Sequence, residues 1–314
     1  MARVLVIGGC GYIGSVLVPK LLAKGHEVTV LDLMWFGNHL LDHDKLDVQE
    51  GDFRSIRLAN AWDTIIHLAG IANDPGGDLD PKLTWEVNAL GTMQLADVAH
   101  RSLVKQFIYA SSGSVYGVND APQITEDLPL DPLTEYNKTK MVAERCVLSY
   151  ADRMQVQIVR PATVCGWSPR QRLDTVVNRH TMQALSKGMI TVYGGKQIRP
   201  HIHIQDMAGL YCWFLEHPEK TGIFNAGFEN YSVDVTAMGI AITCGADIEH
   251  KETNDPRSYR MNSDKLLAAG FCPQYRMMDA VSDFILAYAV GNLKDEESCY
   301  NIEVMKKKLL SKPA

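Results

Sequence analysis

Apolar residues in this chain come in short β-branched runs separated by longer stretches with helical spacing. Val4-Leu5-Val6-Ile7 ends in glycines and predicts a buried strand. Helical spacing follows over about 12–24, Gly25 is placed to end it, and Glu27-Val28-Thr29-Val30-Leu31 predicts the next strand. Pro19 conflicts with that helix. An interior proline costs about 3 kcal/mol, so a kink or strong tertiary support is expected there. A third strand is predicted over 64–68, and a helix over 83–102 with Val87, Leu90, Leu95 and Val98 apolar. Strands over 106–110 and 156–159 flank a helix over 136–150. This alternation predicts an α/β fold: a doubly wound parallel sheet covered by helices.

Beyond Cys165 the rhythm loosens. The stretch 167–173 is polar and holds Pro169, Arg170 and Arg172; a helix is predicted over 175–187 and a short strand over 190–193, closed by Gly194-Gly195. The charged tail, 294–314, is expected at the periphery. There is no internal repeat and no low-complexity tract. The reading is a first domain over 1–165 and a smaller α/β domain over 166–314, with segments near 200–230 returning to the first.

Composition narrows the class. The 314 residues are 46% hydrophobic and 22% charged, ordinary for a soluble globular protein able to bury a core without staples. With 31 basic against 37 acidic residues the net charge is −6, which is no broad footprint for nucleic acid. Seven scattered cysteines without a CxxC argue against zinc ribbons and redox pairs and suit a reducing cytoplasm. Residues 1–9 lack a signal peptide's pattern, and no apolar run reaches the roughly 18 residues of a membrane span.

The candidate chemistry starts with Gly9-Cys10-Gly11-Tyr12-Ile13-Gly14, a GxGxxG that Gly8 extends to GxxGxxG. It follows a strand and opens a helix, where glycines let backbone N–H groups approach a pyrophosphate and the helix N-terminus adds partial positive charge. Asp32 ends the next strand, 18 residues after Gly14. A carboxylate there accepts from both ribose hydroxyls and repels a 2′-phosphate, favouring NAD over NADP. Asp52 is a candidate adenine contact, although a solvated loop aspartate fits the same spacing. Leu68-Ala69-Gly70 ends a strand with small residues, which suits either close approach to a cofactor or tight packing.

Tyr136-Asn137-Lys138-Thr139-Lys140 is a YxxxK, which puts Tyr136 and Lys140 on one helix face. An ammonium about 4 Å from the phenol, at an effective dielectric near 20, contributes roughly 4 kcal/mol. At about 1.4 kcal/mol per unit this brings a phenol of pKa about 10 near neutrality. Ser111-Ser112-Gly113-Ser114 clusters hydroxyls at the carboxyl edge of a strand, where open parallel sheets bind ligands.

From Val4 to about residue 286 the chain resembles the extended short-chain dehydrogenase/reductases, in their NAD-dependent sugar-nucleotide epimerase/dehydratase branch. The segments that carry the resemblance are 8–14, 111–117 and 136–140. It implies a Rossmann-type first domain, Tyr136 as base, Lys140 as its activator and Ser112 as hydroxyl partner. For the cofactor it implies Gly8, Gly11, Tyr12, Ile13, Gly14, Asp32, Asp52, Phe53, Leu68, Ala69, Gly70, Asn88, Ser111, Tyr136, Lys140 and Pro161. For a nucleotide-sugar substrate it implies Ser112, Ser114, Thr163, Arg170, Asn178, Arg199 and Arg257, and it implies a homodimer through the helices over 83–102 and 136–150. Two departures matter. The 4,6-dehydratases carry an Asp–Glu pair where Gly113 and Ser114 stand, and the decarboxylases a Glu at Ser114, so both reactions are disfavoured. The epimerases carry an Asn near Thr163 and a phosphate-gripping Arg near Glu252; Arg257, Arg260 and Arg170 are the candidates to replace the latter.

Other residues read more plainly. His201 and His203 share a strand face but lack an evident third ligand, so no metal is expected. Cys10 is read as a small packed residue, and Trp35 and Phe36 as lining the adenine side or packing. The expected activity is C4 epimerisation through a transient 4-keto sugar. The alternatives are a nucleotide-sugar dehydrogenase or reductase and a non-catalytic dinucleotide sensor.

Overall fold

The computed structural model describes residues 1–57, 62–119, 121–255 and 257–310. Strand β1 (Arg3–Ile7) shows why both sheet faces are covered. Val4 and Val6 pack into one core with Leu17 and Leu21 of α1 (Gly14–Ala23), whereas Leu5 and Ile7 pack into another. A fully buried strand of this kind reads as a continuous apolar run. Helix α1 keeps Pro19 inside it, with the proline facing solvent while Leu17, Val18 and Leu21 are fully buried. Tertiary packing is the support that the sequence demanded.

The chain continues outward through β2 (Glu27–Asp32) and β3 (Leu46–Glu50), then crosses to β4 (Thr64–His67). β3 went unpredicted because it is a half-exposed edge strand with only Leu46 and Val48 apolar. After β4 come α2 (Asp74–Leu79) and a long helix that the pattern predicts as one element. It is built of α3 (Pro81–Thr84), π-helical turns over Trp85–Gly91 and α4 (Thr92–Arg101). Such π segments recur at functional sites. The next elements are β5 (Gln106–Ala110), α5 (Glu135–Leu148) and β6 (Gln155–Pro161). Leu95, Ala96 and Ala99 of α4 and Ala143 and Val147 of α5 cover the Leu5–Ile7 face.

Later segments complete this body and build a second one. β7 (Thr163–Cys165), α6 (Val176–Lys187), β8 (Met189–Tyr193) and β9 (Ile198–His203) are followed by α7 (Ile204–Glu216), which packs beside α1. β10 (Gly222–Ala226) then joins β6 as the seventh strand of the main sheet. That sheet is parallel throughout in the order β10-β6-β5-β4-β1-β2-β3, a Rossmann-type arrangement whose order reverses between β1 and β4. Ligands bind beyond the carboxyl ends of the strands at such a reversal. β11 (Glu229–Ser232) pairs with β9, which also pairs with β7; α8 (Val233–Cys244) leads to β12 (Asp247–Lys251), which pairs with β8. α9 (Asp264–Ala268), α10 (Met277–Ala289) and α11 (Asn301–Leu310) end the described chain. Against the expectation of a peripheral tail, α11 buries Met305 against the nucleotide-binding body, because Ile71 and Leu83 leave an apolar seat there.

Three buried histidines make stability pH-dependent. Burial lowers His67 to about 3, and His180 and His201 to about 4. Their folded values lie below the ordinary 6.5, so the unfolded chain binds more protons in between. Stability is therefore fully present above pH 6.5 and lost as pH falls towards 4. Each ring contributes a slope of about 1.4 kcal/mol per pH unit. The urea unfolding midpoint should be lower at about pH 5 than at about pH 7, and a flat profile would contradict the burial of these rings.

Candidate active site

The turn after β1 is shaped for close approach. Gly8 has φ +85, and a Cβ there would lie 2.6 Å from the Ala69 nitrogen; a Cβ on Gly14 would lie 2.4 Å from the Gly9 carbonyl oxygen. These contacts draw the first turn of α1 against the ends of β1 and β4. Asp32 closes the turn, its carboxylate accepting from the Cys10 N–H at 3.0 Å and the Met34 N–H at 2.8 Å. Burial raises its pKa and those two N–H bonds oppose the rise. Burial, with the charge of Asp32 beside it, pushes the Cys10 thiol up to about 12, so it is an unreactive packed residue.

Gly8, Gly11, Tyr12, Ile13 and Gly14 line a pocket of about 360 Å³ whose further walls include Asp32, Asp52, Phe53 and Leu68 to Gly70. Asp52 is engaged by Arg54, its carboxylate accepting from Nη2 at 2.6 Å. Trp35 and Phe36 also line this pocket. Asn88 does not reach a wall. From the π-helical turns its Oδ1 accepts from the Ile71 N–H at 2.8 Å and its Nδ2 donates to the Ile71 carbonyl at 3.0 Å, so it fixes the backbone of the wall from behind. A glycine turn with no room for side chains, a helix N-terminus and a strand-end carboxylate together fit a dinucleotide.

A cleft of about 550 Å³ continues from this pocket, sharing Leu68, Gly70, Ala110 and Arg172 as walls. Ser111, Ser112, Ser114, Tyr136, Lys140 and Pro161 all line the cleft. Tyr136 is 9% exposed and packs against α2, where a Cβ on Gly77 would lie 2.8 Å from its own. Burial raises the phenol's pKa; a bond to the Ser112 hydroxyl, the Arg172 charge and the Asn73 backbone pull it down, and Asp74 pushes it further up. Lys140, one turn further along α5, has partners of its own. Its Nζ donates to the Ala110 carbonyl at 2.8 Å and lies 4.9 Å from the Tyr109 ring centroid. Burial lowers it to about 8, with Glu144 opposing.

Ser112 belongs to a hydroxyl chain. Its Oγ lies 2.7 Å from that of Ser114, which donates to Asn137 Oδ1 at 2.5 Å. Beneath this chain, Ser111 donates to Glu144 at 2.5 Å, and Glu144 accepts from Arg160 at 2.9 and 2.6 Å. Burial disfavours the Arg160 charge, but Glu144 outweighs it and holds the guanidinium well above its usual range. This paired floor fixes β5, β6 and α5 under the cleft. The missed Asn137 lies inside the YxxxK segment, and its role was hidden because helical spacing says nothing about which serine faces it.

The far end of the cleft is cationic but tied. Arg199 donates to Asp255 at 2.7 Å and to the Arg257 carbonyl, and Arg257 donates to Asp255 at 2.8 Å and to Asp74. Arg172 pairs with Asp174 at 2.5 Å, and both line the cleft, as do Thr163 and Arg179. Thr175 Oγ1 and His180 Nδ1 are buried on its wall without a hydrogen-bond partner among the described residues. Sequence reasoning missed Asp74, Arg172, Thr175 and His180, which only chain crossing brings here. Three of the expected substrate residues stand elsewhere. Asn178 is fully buried off the cleft wall, donating to the Tyr12 hydroxyl at 2.9 Å and accepting from the Gly166 N–H at 3.0 Å, because the glycine-turn helix needs an anchor. Arg170 lines the dinucleotide pocket and not the cleft, drawn there by the Phe36 ring. Arg260 and Glu252 are both exposed and stand off the cleft wall. Among the described residues no three His, Cys, Asp or Glu side chains gather as a metal site. Among them, too, no helix is long and apolar enough to cross a membrane.

Comparison with known proteins agrees with this geometry. UDP-glucose 4-epimerase of Lactobacillus helveticus is 27% identical over 316 residues, covering 89% of this chain and 94% of its own. UDP-glucuronic acid decarboxylase 1 of Xenopus tropicalis is 30% identical over 218 residues, 65% of this chain and 51% of its own. The structure of MoeE5 in complex with UDP-glucose and NAD superposes with TM-score 0.81 at 25% identity, covering 92% of this chain and 99% of that one. The UDP-glucose 4-epimerase of Thermus thermophilus in complex with NAD gives 0.80 at 25% identity, over 90% and 99%. The model of the NAD dependent epimerase/dehydratase family matches residues 4–227, well over half the chain, and the protein belongs to that family as an NAD-dependent enzyme.

Proposed function

We propose that this protein is a sugar-nucleotide epimerase acting at C4 through a transient 4-keto sugar. The observation that carries the reading is Tyr136 and Ser112 on the wall of one cleft that opens into the dinucleotide pocket, with no acid–base pair for elimination at 113 and 114 beside them. Gly113 is crowded: a Cβ there would lie 2.5 Å from Met261 Cε and 3.0 Å from the Pro161 carbonyl oxygen. Ser114 is committed to Asn137. UDP-glucose 4-epimerases of Lactobacillus helveticus and Corynebacterium glutamicum, each 27% identical, support the same reading.

Tyr136 takes the proton of the sugar hydroxyl, and Ser112 donates to the same oxygen and orients it. Lys140, one turn further along α5, supplies the ammonium that the phenolate needs once the proton is transferred. NAD held by the glycine turn and Asp32 would supply the hydride acceptor for the oxidation and the hydride donor for the return. Arg199 and Arg257 grip the diphosphate, exchanging their Asp255 and Asp74 partners for phosphate oxygens. The sugar turns over between these fixed ends. A homodimer fits the outer face of the long helix, where Leu90 and Met93 are 49% and 41% exposed. The seven free cysteines suit a reducing cytoplasm.

The experiment is incubation of the NAD-loaded protein with a panel of nucleotide sugars, read by product analysis and by absorbance of reduced nicotinamide. An isomerised sugar without lasting reduced cofactor is expected. Accumulating reduced cofactor would make it a dehydrogenase, and inertness across the panel a sensor. Tyr136→Phe should keep its NAD and lose roughly 10²- to 10⁴-fold in turnover; near-normal turnover would remove the mechanism. Asp32→Ala should shift the ratio of NAD to NADP affinity towards NADP, measured by titration with each, and an unchanged ratio would place the carboxylate away from the ribose.

A further inference from the structure

The end of the chain meets the cofactor pocket. Asn301 opens α11, is 6% exposed and lines that pocket. Its Oδ1 accepts from Arg170 Nη2 at 2.6 Å. Arg170 is 2% exposed, lines the same pocket and lies 3.8 Å over the centroid of Phe36. Its Nε has no hydrogen-bond partner among the described residues. Burial pulls this guanidinium down to about 10, and its charge helps hold down the pKa of Asp32 across the pocket. A buried guanidinium whose tight partner is a neutral amide retains donor capacity for a ligand, since an unmade bond at such a group is costly.

The packing further along α11 points the same way. Met305 is buried with Ile71 and Leu83, and Trp35, Val87 and Leu309 pack on that cluster. Trp35, Ile71, Leu83 and Val87 are themselves walls of the cofactor pocket. The same side chains therefore face the pocket on one side and the C-terminal helix on the other.

We infer that α11 is a strap that closes the cofactor pocket, and that Arg170, held by Asn301, is a cofactor-binding residue donating to ribose or phosphate oxygens in the adenosine half of NAD. The adenosine half follows from the neighbours, Asp32 and the glycine turn. The inference rests on NAD as the cofactor and not on the sugar or the C4 outcome. Release of the dinucleotide then requires the Asn301–Arg170 bond to break and Met305 to leave its seat. Such a strap suits an enzyme that regenerates its oxidised cofactor in every cycle and has no need to exchange it.

The test uses the full-length protein loaded with NADH and chased with excess NAD, with loss of bound-NADH fluorescence giving the release rate. Asn301→Ala and Met305→Ala should each release NADH at least about tenfold faster, the change falling in the off-rate. Lys306→Ala, exposed on the same helix, should release at the wild-type rate. Arg170→Met keeps the bulk and removes the donors, and should weaken NAD binding by about tenfold or more in equilibrium titration. Hydrogen exchange on the unmodified protein gives an arm that no folding defect can blur: NAD should slow exchange over 302–310. Wild-type release from both α11 variants, or equal exchange of that segment with and without NAD, would overturn the strap. An unchanged affinity in Arg170→Met would remove that residue from the cofactor site. None of these readouts needs a sugar to turn over, so an unsuccessful epimerase assay leaves them intact.

Discussion

Desolvation of Tyr136 is the constraint around which this site is built. α2 packs against the base of the residue, where Gly77 leaves no space for a side chain beside Tyr136 Cβ, and only 9% of Tyr136 stays exposed on the cleft wall. Burial alone would make it a worse base than free tyrosine. The surroundings oppose that penalty with fixed groups: the Ser112 hydroxyl, the Arg172 charge and the Asn73 backbone. Fixed dipoles of this kind need no reorganisation when charge develops, which is why a costly burial can serve catalysis.

Lys140 illustrates how the same burial changes a pairwise argument. At a dielectric near 20 an adjacent ammonium contributes roughly 4 kcal/mol to a phenolate, which is enough to neutralise the burial penalty in the abstract. In the fold, Lys140 is itself stripped of water and lowered to about 8, and it donates one of its three N–H groups to the Ala110 carbonyl.

Beneath the site, the polar floor of Ser111, Glu144 and Arg160 is paired, and a half-satisfied version of it would be worse than an apolar core. Above it, the second body contributes arginines that already have carboxylate partners. Any anion bound there would replace existing ion pairs and would not meet bare charges. The cofactor side follows a different logic, because Arg170 keeps an unspent N–H while the last helix holds it in place.

Local patterns were enough for the parallel sheet, the glycine turn, Asp32 and the placement of Tyr136 and Lys140 on one helix face, because each depends on residues within a few turns of one another. Edge strand β3 and the π-helical turns around Asn88 escaped, the first for want of apolar residues and the second because its extra residue per turn leaves no mark on hydrophobic spacing. What needed the tertiary structure were the partners joined across long loops: Asp74 with Arg257, Asn178 with Tyr12, and Asn301 with Arg170. Arg170 could be read from sequence as a cation and no further, since its pocket is decided by an aromatic ring and an amide that lie far from it along the chain on either side. Sequence determines which groups can carry charge and protons; the packing of distant segments determines which ligand they face.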